Sequence, residues 1–175
     1  YREYFWTRGK QNGFEIPRRA TETACGAQGY GFPESPFKMI GPKQVGKGGL
    51  AGMRFAHYLK EKHGEKVAVW PFERDNVDTA QIVITEIYPR LFLKLAGHGN
   101  KKVTEAAGLK EVLAFFGSDM PHLMRFTDHQ SDAIIAAAGL RALCGNGPDI
   151  VPDIANPADL TADAALREGW IFGVR

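Results

Sequence analysis

Two cysteines in 175 residues are too few for a disulfide scaffold or a four-thiolate zinc site, and their scarcity points to a reducing, cytoplasmic setting. His57, His63, His98 and His122 show no zinc-ligand spacing with the distant Cys25 and Cys144, and the two thiols read as packed side chains rather than nucleophiles. No G-x-S-x-G elbow occurs, so a Ser-His-Asp hydrolase has no support. No apolar run approaches the roughly 20 residues a bilayer-spanning helix requires, so no membrane partner is expected. The chain opens Tyr1-Arg2-Glu3-Tyr4-Phe5-Trp6, without the charged-then-apolar order of a signal peptide. What is present is an ordinary globular composition, 44% hydrophobic and 24% charged, with eleven Phe and three Trp to supply one core.

The net charge of +2 hides an asymmetry. Residues 1–70 carry 12 Lys/Arg against 6 Asp/Glu, and residues 71–175 carry 10 against 14. A basic half beside an acidic half suits a polyanion-binding face next to a carboxylate site, or simply a solvated surface. Periodicity predicts a single domain, with an irregular basic segment over 1–47 and a strand and helix core over 48–175. A short strand is expected at 37–40, then a glycine-rich loop, and a helix over 50–62 with Leu50, Met53, Ala56 and Leu59 inward. Strands follow at 67–72 and 81–88, and Pro89 opens a helix over 90–96. Further helices are expected at 103–116 and 160–168. A capping box of Thr127 and Gln130 starts the clearest helix, over 127–144. It is so rich in Ala, Ile and Leu that it should be buried across the sheet. Strands alternating with helices give an α/β class.

Three places could carry chemistry. Asp128, His129 and Asp132 share one face of the 127–144 helix. Asp128, in the first turn, suits the helix dipole without further purpose. Asp132 lies past that turn and is costly to bury unless paired or bound to a cation. Glu86 interrupts the apolar strand Ile82-Val83-Ile84-Thr85-Glu86-Ile87-Tyr88 near its carboxyl end, where α/β proteins place sites. It either serves such a site, or meets solvent or Arg90. Gly41-Pro42-Lys43-Gln44-Val45-Gly46-Lys47-Gly48 approaches a P-loop, but Gly48 stands where the metal-binding hydroxyl belongs. A nucleotide triphosphatase is therefore a minor alternative. Lys43 and Lys47 at a helix start would attract phosphate of any kind.

Thr85-Glu86-Ile87-Tyr88-Pro89, followed by Asp128-His129-Gln130-Ser131-Asp132-Ala133, resembles a family of predicted RNase H-like nucleases. It is catalogued as Domain of Unknown Function four-two-nine and is distantly similar to the RuvC resolvases. Gln44-Val45-Gly46, Gly49 to Met53, Arg18-Arg19 with Glu22, and Glu168 to Gly173 fit the same family, so the likeness runs from about Arg18 to the end. The resemblance implies a five-stranded RNase H-like sheet and metal-dependent phosphodiester hydrolysis. Mg²⁺ or Mn²⁺ would be held by Glu86 and Asp132, with His129 or Asp128 as helper. Arg18, Arg19, Lys43 and Lys47 would hold nucleic-acid phosphates. The family's first strand and its leading Asp find no counterpart, so the chain is expected to be the C-terminal portion of a longer protein. A strand without its neighbour also invites a homo-oligomer. A binding module with a decayed site is the other expectation.

Overall fold

The computed structural model describes residues 16–99, 102–122, 125–146 and 162–175. The elements run α1 (Ala20–Ala27), α2 (Gly46–His63), β1 (Val67–Val69), β2 (Ile82–Ile84), α3 (Pro89–Leu95), α4 (Ala106–Phe115), α5 (Asp128–Arg141) and α6 (Ala162–Glu168). The protein is a mixed α/β structure, about half helical, with one small parallel sheet.

The strands β1 and β2 pair in parallel, with Val67 opposite Ile82 and Val69 opposite Ile84. Past the end of β2, Glu86 pairs with Ile171 of the C-terminal tail, and the Phe172 N–H donates to the Glu86 carbonyl at 2.8 Å. The outer edge of β1 is closed by side chains. Lys60 Nζ donates to the Val67 carbonyl at 2.9 Å, the Val69 N–H donates to Glu73 Oε2 at 2.9 Å, and Lys60 and Glu73 are themselves paired. No described strand lies on the far side of β2. Ile82 and Val83, which point to opposite faces, are 46% and 42% exposed. Two short strands thus stand where the resemblance implies five.

The core is chiefly helical. The helix α5 packs on α3 and α4 rather than across the sheet, because its small residues admit a close helix neighbour. A Cβ placed on Gly139 would lie 2.2 Å from the buried Phe92 ring of α3. The expected capping box is present: the Thr127 N–H donates to Gln130 Oε1 at 2.9 Å and Gln130 N–H to Thr127 Oγ1 at 3.4 Å. Ser131, Ile135, Ala136, Ala138 and Gly139 are buried, while Ala133 and Ala137 are exposed, so one side of the helix faces outward. At its far end Arg141 donates to the carbonyls of Phe116 and Gly117, at 2.7 and 2.8 Å, and so caps α4.

Four expectations are corrected. Residues 16–47 are not irregular throughout, since α1 forms there. Residues 37–40 form no strand, and Phe37 and Ile40 are exposed. The second helix begins earlier than expected, at Gly46, whose hydrogen fits where a Cβ would meet the Pro36 carbonyl at 2.4 Å. Its apolar positions do not all turn inward: Leu50 is exposed and Met53 is 63% exposed, while Ala56 and Leu59 are half-buried. The tail is tied to α1, with Ile171 N–H donating to Thr21 Oγ1 at 2.9 Å and Arg175 N–H to Gln28 Oε1 at 3.0 Å.

Candidate functional site

Where β2 runs out, α1, the tail and Glu86 converge on Arg19. Its Nη1 and Nη2 donate to Glu86 Oε2 and Oε1 at 2.8 and 2.7 Å, a two-point grip on both carboxylate oxygens. The same guanidinium reaches Glu22 Oε1 at 2.5 Å and the Glu168 carbonyl at 3.0 Å. Glu22 is 1% exposed, and its Oε2 accepts the Arg19 N–H at 2.7 Å, which caps α1. Burial works against the charge on Arg19, but its hydrogen bonds to Glu86 and Glu22 outweigh it and hold the guanidinium above its ordinary range. Glu86 therefore pairs with Arg19 while its side chain also faces solvent. Arg19 is taken up by three protein groups rather than presented to phosphate.

The helix acids separate. Asp128 pairs with Lys102, and that hydrogen bond holds the Asp128 carboxyl below its usual value and the Lys102 ammonium above its own. His129 is exposed. Asp132, one turn further, accepts no hydrogen bond from a described residue and lines a cleft of about 590 Å³. Lys43, Arg90 and Lys102 line the same cleft, with Phe32, Glu34 and Tyr88. Glu34 is paired with Lys38 at 3.0 Å and Lys102 with Asp128, so Asp132 faces Lys43, Arg90 and Lys102 across the cleft, and its charge reaches Lys102 without a hydrogen bond. Burial pushes the Tyr88 hydroxyl above its ordinary value.

The residues singled out from the sequence thus divide. Asp132 and Lys43 share the cleft; Glu86 and Arg19 form the neighbouring cluster; Arg18 and Lys47 are exposed and line neither. Lys43 adopts a positive φ of 58° in a turn, and no described strand precedes it to form a P-loop. Phe32, Arg90 and Lys102 were not legible as site residues, because their meeting depends on chain reversals that no local spacing encodes.

A hard divalent cation is commonly held by one or two carboxylates, with water and substrate phosphates completing its shell. Asp132 fits that pattern. Glu86 does not as it stands, because both its oxygens are held by Arg19. Among the described residues no three His, Cys, Asp or Glu side chains come together as a metal-holding group, and no described helix is long and apolar enough to cross a membrane. Compared with protein-family models, curated proteins and solved structures, the chain matches none.

Proposed function

We propose that this chain binds nucleic-acid phosphates in the Asp132 cleft and acts there as a divalent-metal-dependent phosphodiesterase of the RNase H-like, RuvC-related kind. The observation that carries this reading is Asp132, which accepts no hydrogen bond from a described residue, in one cleft with Lys43, Arg90 and Lys102. Lys43, Arg90 and Lys102, the last shared with Asp128, suit a phosphodiester, because they offset the charge of a bound phosphate while the carboxylate repels it unless a cation lies between. Lys43 and Lys102 would hold backbone oxygens as point charges, and Arg90 could meet two oxygens at once. Asp132 would orient the attacking water or hold Mg²⁺ or Mn²⁺, which when bound lowers the pKa of its water and offsets charge on the leaving oxygen. His129 and Asp128 stand at the rim of the same helix face, and Arg18 and Lys47 would add outlying phosphate contacts.

A second reading is favoured by one observation. Arg19 satisfies both oxygens of Glu86, the acid that resemblance assigns to metal, so the chain could be a binding module without hydrolysis. Cleavage of labelled single-stranded and branched DNA and RNA in Mn²⁺, for wild type and Asp132→Asn, separates the two. Loss of cleavage in the variant with its melting temperature unchanged supports the phosphodiesterase. Salt-sensitive binding without cleavage supports the module. Absence of both binding and cleavage sinks both.

A further inference from the structure

Phe32 stands out among the cleft residues. It is 75% exposed, yet its ring does not float. Its Cε1 and Cδ1 lie 2.5 and 2.7 Å from where a Cβ on Gly26 would stand, so the ring rests on the α1 backbone at a spot only glycine leaves open. The chain on either side is anchored as well. Gly31, with φ of 101°, packs where a Cβ would meet Arg90 Cδ at 3.1 Å. Pro33 and Ser35 are buried, and Ser35 Oγ donates to the Pro17 carbonyl at 2.5 Å. An exposed aromatic ring costs solvation free energy unless something covers it. This one is seated beside Lys43, Lys102 and Arg90 at the cleft.

We propose that Phe32 is a stacking platform for an unpaired base, and that the cleft takes single-stranded rather than duplex nucleic acid. This rests on the phosphate-binding reading of the cleft and narrows it to one class of substrate. A cationic groove that tracks the backbone, with aromatic rings for successive bases, is how proteins bind single strands without reading sequence. In a duplex the base faces are occupied by their neighbours, so the ring has nothing to stack on. In a single strand the free π-face of any base serves, and the phosphates on either side fall to the lysines.

The test measures affinity by fluorescence anisotropy in EDTA, so that no cleavage intervenes. The probes are oligothymidine of about 12 nucleotides, oligouridine of the same length, the corresponding duplex, and an abasic oligomer that keeps the phosphates without bases. Wild type is expected to bind either single strand at least tenfold tighter than duplex. Phe32→Ala should weaken single-strand binding about tenfold or more and leave the abasic oligomer unchanged, while Phe32→Trp restores it. Gly26→Ala, which keeps Phe32 but pushes a methyl into its seat, should weaken the same probes. Lys43→Ala should weaken all probes, abasic included, with a shallower salt dependence. Unchanged oligothymidine affinity in both Phe32→Ala and Gly26→Ala overturns the platform, as does duplex binding equal to single-strand binding. If abasic binding is still lost in Lys43→Ala, the cleft reading survives that failure. If neither the abasic oligomer nor the duplex binds wild type and Lys43→Ala changes nothing, the cleft reading itself fails.

Discussion

Replacing Arg19 by Met tests the cluster that ties α1, the end of β2 and the tail together. Met keeps most of the stem's volume and removes the guanidinium. The Glu22 carboxylate, 1% exposed, then loses its partner at 2.5 Å and keeps only the Arg19 backbone N–H at 2.7 Å. Glu86, with its side chain 45% exposed, can turn to water at little cost. The loss therefore concentrates on Glu22. Removing one partner of a buried pair costs about 3–5 kcal/mol, most of it from the charge left behind. Spread over a domain of this size, that is a fall in melting temperature of roughly 6–20 °C, a large share of an ordinary domain's 5–15 kcal/mol or so. The charge, not the lost contacts, is the cause, and a second substitution isolates it. In Arg19→Met/Glu22→Gln the amide oxygen still accepts the backbone N–H that caps α1, but no charge is stranded. Urea denaturation followed by circular dichroism should place the double variant at least halfway back to wild type. If Arg19→Met shifts stability by less than about 1 kcal/mol, as for an exposed pair, or if the double variant is no more stable than the single one, the stranded charge is not what the cluster prevents.

Gly139→Ala should destabilise by about 1–3 kcal/mol, because the new methyl meets the buried Phe92 ring; Phe92→Leu should restore part of the loss in the double variant, read by urea midpoints. Cys25 is buried and its thiol is pushed up to about 11, by burial first and by the charge of Glu22 second. It should therefore resist alkylation in the native state at pH 8 while exposed Cys144 reacts. Because the folded form keeps the Cys25 proton longer, stability should fall between about pH 9 and pH 11, and Cys25→Ser should flatten that limb. Lys60 holds the Glu73 carboxyl below its ordinary value, so this pair stabilises at neutral pH and the benefit disappears as pH drops through that lowered value. Lys60→Met should accordingly destabilise more at pH 7 than at pH 3, by equilibrium denaturation.

Local devices were legible and long-range ones were not. The capping box at Thr127 and Gln130 depends on residues three apart, so the start of α5 could be read directly, and Pro89 opens α3 for an equally local reason. The expected strand at 37–40 has apolar residues that would suit one. A strand, however, exists only through its neighbour, and no described strand is offered there. Conversely, Gly46, Gly48 and Gly49 argue against a helix on propensity, yet α2 starts at Gly46 because that position packs against Pro36 and Met39. The near-absence of a polar face on α5 suggests burial against a sheet. Its small residues serve a closer purpose, letting the Phe92 ring of α3 approach to where a side chain on Gly139 would stand.

The candidate site shows the same division at higher stakes. Asp132 could be singled out because a carboxylate past the first turn of an apolar helix needs an explanation that its own helix does not supply. Glu86 drew attention for a comparable reason, and a charged partner nearby in sequence, Arg90, was the local candidate. The partner is Arg19, 67 positions away, and no periodicity carries that distance. The consequence is chemical as well as topological. A carboxylate whose two oxygens are both held by a guanidinium is already neutralised, so it stabilises the fold through Arg19 and has little left to give a cation unless Arg19 moves. Asp132 has no such claim on it among the described residues. Of the acids that resemblance groups together, the fold thus spends one on structure and leaves one at the cleft, beside Lys43, Lys102 and the seated ring of Phe32.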